Sequence, residues 1–164
     1  MTARFAVEKT LGKLAKWLRL MGFDVCIESG AVAASEAATC PDRVVLTRTR
    51  RRCRDLRDRP FLFIRANDPF DQLREVICSL DLSRQAIRPF SRCLLCNTPT
   101  AAVDRKAVRH RVPDYVWESQ ARFCHCPRCG KIYWPGSHTR RGLAHIDSLF
   151  KAHRPPRLTH GPES

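Results

Sequence analysis

Apolar positions in the first half of the chain fall into two alternating patterns. Short, almost continuous apolar runs occur at Arg4 to Val7, Asp24 to Glu28, Arg43 to Thr47 and Phe61 to Arg65. Runs of this length and composition read as strands buried on both faces. Between them the apolar residues recur at helical spacing. Leu11, Leu14, Leu18 and Met21 form a stripe across residues 10–22, with Lys9, Lys13 and Lys16 on a different face and Gly22 as the stop. An alanine-rich helix is expected near 31–39, ended by Pro41-Asp42. A short arginine-rich helix follows the third strand, and Leu73, Val76, Ile77 and Leu80 predict a helix from Phe70 to Leu80. Strand–helix alternation predicts an α/β domain over residues 1–88, a parallel sheet covered by helices. In such sheets the functional crevice lies beyond the C-terminal strand ends. Glu8, Glu28 and Asp68 fall at that edge and are the candidate acids. Asp24 enters the second strand from the opposite edge and reads as structural, a turn or cap partner.

The pattern changes at Ser91, where a second domain is expected over 91–150. Two Cys-x-x-Cys pairs stand in it, Cys93 with Cys96 and Cys126 with Cys129. Four thiolates at this spacing close a tetrahedral shell around one Zn²⁺, and a closed shell is structural rather than catalytic. Asn97 and Gly130 follow the second cysteine of each pair and tolerate the left-handed backbone that turns N–H groups toward sulfur. Two disulfides, or four unrelated buried cysteines, are the alternative. Cys124 is a poorer-spaced substitute ligand, and Cys26 and Cys78 read as small core residues. Val112 to Trp117 carries an aromatic pair, Tyr115 and Trp117, expected to pack on the ribbon, although an exposed face could stack a base. Ile132 to Gly136 reads as a strand and turn, and residues 140–152 as a closing helix. His138 reads as a hydrogen-bonded structural histidine, with a proton shuttle or a partner of the zinc ligands as alternatives. A disordered tail is expected over 153–164.

Charge narrows the partner. The 164 residues carry a net charge of +14, which points to a polyanion, nucleic acid first. Seven arginines between 48 and 59 stand against Asp55 and Asp58, a local charge of +5. Arg48, Arg50, Arg51 and Arg52 follow a strand C-terminus beside the expected crevice and are the stronger phosphate-binding candidates. Lys13, Lys16 and Arg19 on the first helix are weaker ones, and Trp17 beside the stripe reads as core. No apolar run is long enough to span a membrane, and the polar start of the chain does not read as a signal peptide. Nine cysteines without an export signal point to a reducing cytoplasm.

The segment Leu11-Gly12-Lys13-Leu14-Ala15-Lys16-Trp17-Leu18-Arg19-Leu20-Met21-Gly22-Phe23-Asp24 resembles the N-terminal signature of the Mut-seven C-terminal RNase family. The likeness continues through Val44 to Arg48, Gln72 to Val76, both cysteine pairs, Val112-Pro113 and Tyr133 to His138, covering roughly residues 4–150. The resemblance implies a PIN-like nuclease fold followed by a zinc ribbon, with RNA as substrate and phosphodiester hydrolysis through Mg²⁺ or Mn²⁺. It also exposes departures. The family's aspartate after strand one corresponds to Glu8, its acidic pair after strand two falls near Ala31, Val32 and Ala33, and its acid after strand three corresponds to Thr49. Glu28, Glu36 and Asp68 are the nearest replacements. Metal-assisted hydrolysis needs several carboxylates converging on the ions. Two readings therefore stand: a ribonuclease using Glu8 with Asp68 or Glu28, and a non-cleaving RNA-binding relative. At least three carboxylates meeting at one point beyond the strand ends would favour the first.

Overall fold

The computed structural model describes residues 3–28, 42–56 and 59–152. The alanine-rich helix expected near 31–39, Glu36 and the expected tail at 153–164 lie outside these residues. The first four strands are β1 (Arg4–Glu8), β2 (Asp24–Glu28), β3 (Val44–Thr47) and β4 (Phe61–Phe63). They form a fully parallel sheet in the order β2-β1-β3-β4. The chain thus leaves β1 to one side and returns to the other, so the topological switch point lies between the ends of β1 and β3. This is the PIN-like α/β arrangement expected.

Side chains alternate across the sheet and the two faces are unequal. Phe5, Val7, Val25, Leu46 and Ile64 face the main core with α1 (Gly12–Leu20) and α3 (Pro69–Ser79). Leu14, Leu18, Leu73 and Ile77 are fully buried there, and truncating any one to alanine costs about 2–5 kcal/mol. On the opposite face Ala6, Val45 and Cys26 meet Leu56, just past the short helix α2 (Arg50–Asp55). Glu8, Glu28 and Thr47 share that second face by alternation. α1 stops at Gly22, whose φ is +93°. A Cβ there would lie 2.3 Å from the Arg88 carbonyl oxygen, so glycine is required by conformation and by space.

The second segment contains an antiparallel ribbon, β5 (Ala101–Val103), β6 (Phe123–His125) and β7 (Ile132–Tyr133), in that order. With α4 (Asp114–Ser119) it encloses a small core of Val108, Val112, Val116, Phe123 and Ile132. The last helix, α5 (Ser137–Ala152), falls within the span expected for the ribbon domain but packs on the α/β core. Ile146 and Leu149 belong to the main cluster, and an added Cβ at Gly142 would lie 3.0 Å from the Trp17 ring.

The ribbon and Arg19 together also satisfy the open edge of β2 at Val25, which would otherwise offer unpaired backbone groups. The Val25 N–H donates to Asn97 Oδ1 at 2.9 Å, and the Val25 carbonyl accepts from Arg19 Nε and Nη2 at 3.1 and 2.8 Å. Arg19 Nη1 reaches on to the carbonyls of Leu94 and Leu95 at 3.0 and 2.8 Å. Arg19, read from the sequence as a phosphate contact, is only 4% exposed and acts inside the interface. Asp24 is the second tie. It pairs with Arg43 at 2.9 Å, accepts from Asn97 Nδ2 at 2.7 Å, and has Arg4 and Arg92 at 3.5 Å. Burial alone would raise its pKa, but the bonds from Arg43 and Asn97 and the charges of Arg43 and Arg92 hold it down to about 2. Asp24 is structural, as expected.

Candidate metal centre and carboxylate edge

Each cysteine pair sits in the same kind of turn. Asn97 N–H donates to the Cys93 carbonyl and Gly130 N–H to the Cys126 carbonyl, both at 2.9 Å. Asn97 and Gly130 have φ of +66° and +70°, the left-handed geometry the sequence suggests. The turns aim Cys96 N–H at Cys93 Sγ and Cys129 N–H at Cys126 Sγ, both at 3.5 Å. The Tyr133 hydroxyl lies 3.1 Å from Cys93 Sγ and accepts from Leu94 N–H, which leaves its own proton for the sulfur. Such bonds stabilise thiolate charge.

The four sulfurs lie within 4.8 Å of one another, with Cys93–Cys129 at 3.6 Å and Cys96–Cys126 at 3.4 Å. A disulfide needs about 2.05 Å, so these are not disulfides. Zn–S bonds of about 2.3 Å place tetrahedral sulfurs roughly 3.8 Å apart, and the cage fits one such ion. Cys124 is not part of the group. Cys78 is exposed rather than core, whereas Cys26 packs against the second face of the sheet.

At the C-terminal edge of the sheet Glu8 and Glu28 stand in register on β1 and β2. Their environments differ. Glu8 Oε2 accepts from the Thr47 hydroxyl at 2.6 Å and Arg48 N–H at 2.8 Å, and Oε1 accepts from the Thr49 hydroxyl at 2.8 Å. Burial would raise the pKa of this carboxyl, but these bonds, with a contribution from Thr10, outweigh burial and hold it below the usual range. Glu28, 5% exposed, pairs through Oε2 with Arg52. Asp68 caps α3, its Oδ1 accepting from Phe70 N–H at 2.8 Å and Asp71 N–H at 3.3 Å. Glu75 and Gln72, unremarked as site candidates in the sequence, hold the loop after β4. Glu75 accepts from Arg65 and Ala66 N–H at 3.1 Å, while Gln72 donates to the Ala66 and Asn67 carbonyls.

Among the described residues the four cysteines are the only group of three or more His, Cys, Asp or Glu side chains close enough to share a metal ion. Among the described residues the carboxylates at the strand ends offer few free oxygens to a pair of Mg²⁺ or Mn²⁺ ions, which need several. Oε2 of Glu8 has both lone pairs taken and Oδ1 of Asp68 caps the helix, while Glu28 pairs through Oε2 with Arg52 and keeps a buried Oε1 that has no hydrogen-bond partner among the described residues.

The basic candidates divide in the same way. Arg52 is committed to Glu28, and Arg48 reaches Asn67 Oδ1 across to the loop after β4. Arg50 lies 5.9 Å from the Phe63 ring centroid and Arg51 is exposed, as are Lys13 and Lys16 on α1. Trp117 is ribbon structure as expected, with Arg105 and Arg109 stacked 4.1 and 4.8 Å from its ring. Tyr115 is not core: it is 71% exposed. His138 is exposed and has no hydrogen-bond partner among the described residues, contrary to its reading as a bonded structural histidine.

A parallel sheet with a switch-point edge, carrying a thiolate cage on an antiparallel ribbon, defines a nuclease-like α/β protein with a metal-binding appendage. The family model described as the Mut7-C RNAse domain matches residues 3–146, and the chain belongs to that family. Comparisons with curated proteins and with solved structures return no match. No helix among the described residues is long and apolar enough to cross a membrane.

Proposed function

We propose that this protein engages RNA along the arginine-bearing edge of its sheet without cleaving it, and that zinc is the structural ion of the cysteine cage. The carrying observation is the state of Glu8. The family resemblance puts an acid at position 49, and here the Thr49 hydroxyl donates to Glu8. A position that would add a metal ligand instead consumes one. The exposed guanidinium groups of Arg50 and Arg51 remain beside this edge, and a net charge of +14 favours a polyanion. A reducing, cytoplasmic setting belongs to the same reading, because the thiols of the cage must stay reduced.

A second reading, a divalent-metal-dependent ribonuclease, is favoured by family membership and by the register of Glu8 with Glu28. Glu28 Oε1, buried without a hydrogen-bond partner among the described residues, is the oxygen such an ion would use first.

Fluorescence anisotropy with labelled single-stranded RNA tests the binding reading. Affinity should fall linearly with salt on logarithmic axes, with a slope of about −0.7 for each phosphate neutralised. Arg50→Glu with Arg51→Glu should weaken binding and flatten that slope, whereas Glu8→Gln should leave affinity unchanged. Absence of RNA binding at low salt would refute the reading.

A further inference from the structure

The ribbon carries a cleft of about 430 Å³, within the range of small-molecule sites. Tyr115 of α4 and Trp134 line it together with Lys131, His138 and Arg140. Two features set it apart from ordinary surface. Tyr115 leaves 71% of its surface exposed, although a ring of that size ordinarily packs into a core. The side chains of Lys131, His138 and Arg140 have no acid and no hydrogen-bond partner among the described residues. By contrast, the cations bordering the cavity of about 410 Å³ all have partners, Arg4 and Arg92 in Asp24 and Arg88 in the Gln85 and Ile87 carbonyls.

An exposed aromatic face beside uncommitted cations matches one ligand chemistry, a base joined to a phosphate. Stacking is satisfied by any base, and it is open only to bases already out of a duplex. We infer that the cleft is a second contact for single-stranded RNA, with a base stacked on Tyr115 and the adjoining phosphates met by Lys131 and Arg140. The inference rests on the RNA reading above and adds to it a separate site, a strand specificity and a named stacking residue. The sheet edge then supplies charge, and the ribbon selects unpaired nucleotides.

Zinc-loaded full-length protein is titrated with labelled oligoadenylate, with duplex RNA and polyglutamate as competitors, while tryptophan fluorescence is followed. Tyr115→Ala should weaken oligoadenylate binding about tenfold or more, and Tyr115→Phe should retain it. Lys131→Glu with Arg140→Glu should weaken it further and reduce the salt dependence. Quenching of Trp134 by the wild-type complex should disappear in Tyr115→Ala and return in Tyr115→Phe. Because Tyr115 is exposed, its variants should keep the wild-type circular dichroism spectrum and unfolding midpoint. RNA binding unaffected by Tyr115→Ala, or polyglutamate displacing the oligonucleotide at equal charge, overturns this inference alone. A wild-type protein that binds no RNA overturns both this inference and the reading beneath it.

Discussion

The guanidinium of Arg19, on α1, donates to the carbonyl oxygen of Leu95 at 2.8 Å, inside the turn that joins Cys93 to Cys96. The same group holds Leu94 and, through two bonds, Val25 on the sheet edge. No carboxylate pairs with it among the described residues; burial lowers its pKa, and the charges of Cys93 and Cys96 act in the opposite sense, favouring the cation. A zinc ion with four thiolates carries a net charge of −2, and Arg19 lies where that charge is partly offset. The metal cage and the α/β core therefore share one buried residue.

Arg19→Met should keep most of the packing and remove all four bonds, leaving carbonyls unsatisfied. A loss of about 1–3 kcal/mol for each carbonyl left unsatisfied is expected, with faster transfer of zinc to a chromophoric chelator. Arg19→Lys should not rescue it, since an ammonium cannot reproduce the planar fork. Urea unfolding and chelator kinetics measure both effects.

Metal analysis should give one zinc per chain. Chelation, or Cys93→Ser, should unfold the ribbon, because binding of a structural zinc supplies about 10–16 kcal/mol to small domains. The loss should spread to the α/β domain, since the cysteine turn covers the β2 edge. Near-ultraviolet circular dichroism reports the ribbon through Trp117 and Trp134. Amide exchange at Val25, whose N–H is held by Asn97, reports the edge. Exchange at Val25 that is indifferent to zinc would count against this coupling.

Asp24 gives the pH dependence. Its folded pKa of about 2 lies below the ordinary 3.8, so the unfolded chain takes up the proton first as pH falls. The stabilisation is complete above the ordinary value and is lost as pH falls through 3.8 toward 2. It amounts to about 2 kcal/mol at neutral pH. Asp24→Asn should cost about that much at pH 7 and little near pH 2, as read from denaturant midpoints across the range.

Thr49→Asp tests what the threonine at this position does for Glu8. A second carboxylate against Glu8 should repel it and lower the melting temperature by a few degrees. Added Mn²⁺ should restore that loss in the variant and leave the wild type unchanged in a thermal-shift measurement.

What the sequence disclosed follows from which interactions are local. β2 was legible from Asp24 to Glu28 because a continuously apolar run needs no partner to be read. The cysteine turns were legible because Asn97 and Gly130 carry their own backbone preference. The closure around Glu8 was not, because it depends on Thr47 and Thr49 arriving at the end of a neighbouring strand and just beyond it, some 40 residues later. Arg19 read as a phosphate contact, because nothing local in the sequence shows that the ribbon covers it. Tyr115 and Trp117 look alike in sequence; only the stacking of Arg105 and Arg109 on Trp117 separates the structural ring from the exposed one.

Single-stranded RNA incubated with zinc-loaded protein and millimolar Mg²⁺ or Mn²⁺, then resolved on a denaturing gel while binding is followed in parallel, addresses the central claim most directly. The account expects bound, intact RNA with either ion. Metal-dependent cleavage by the wild type that disappears in Glu8→Gln would contradict it.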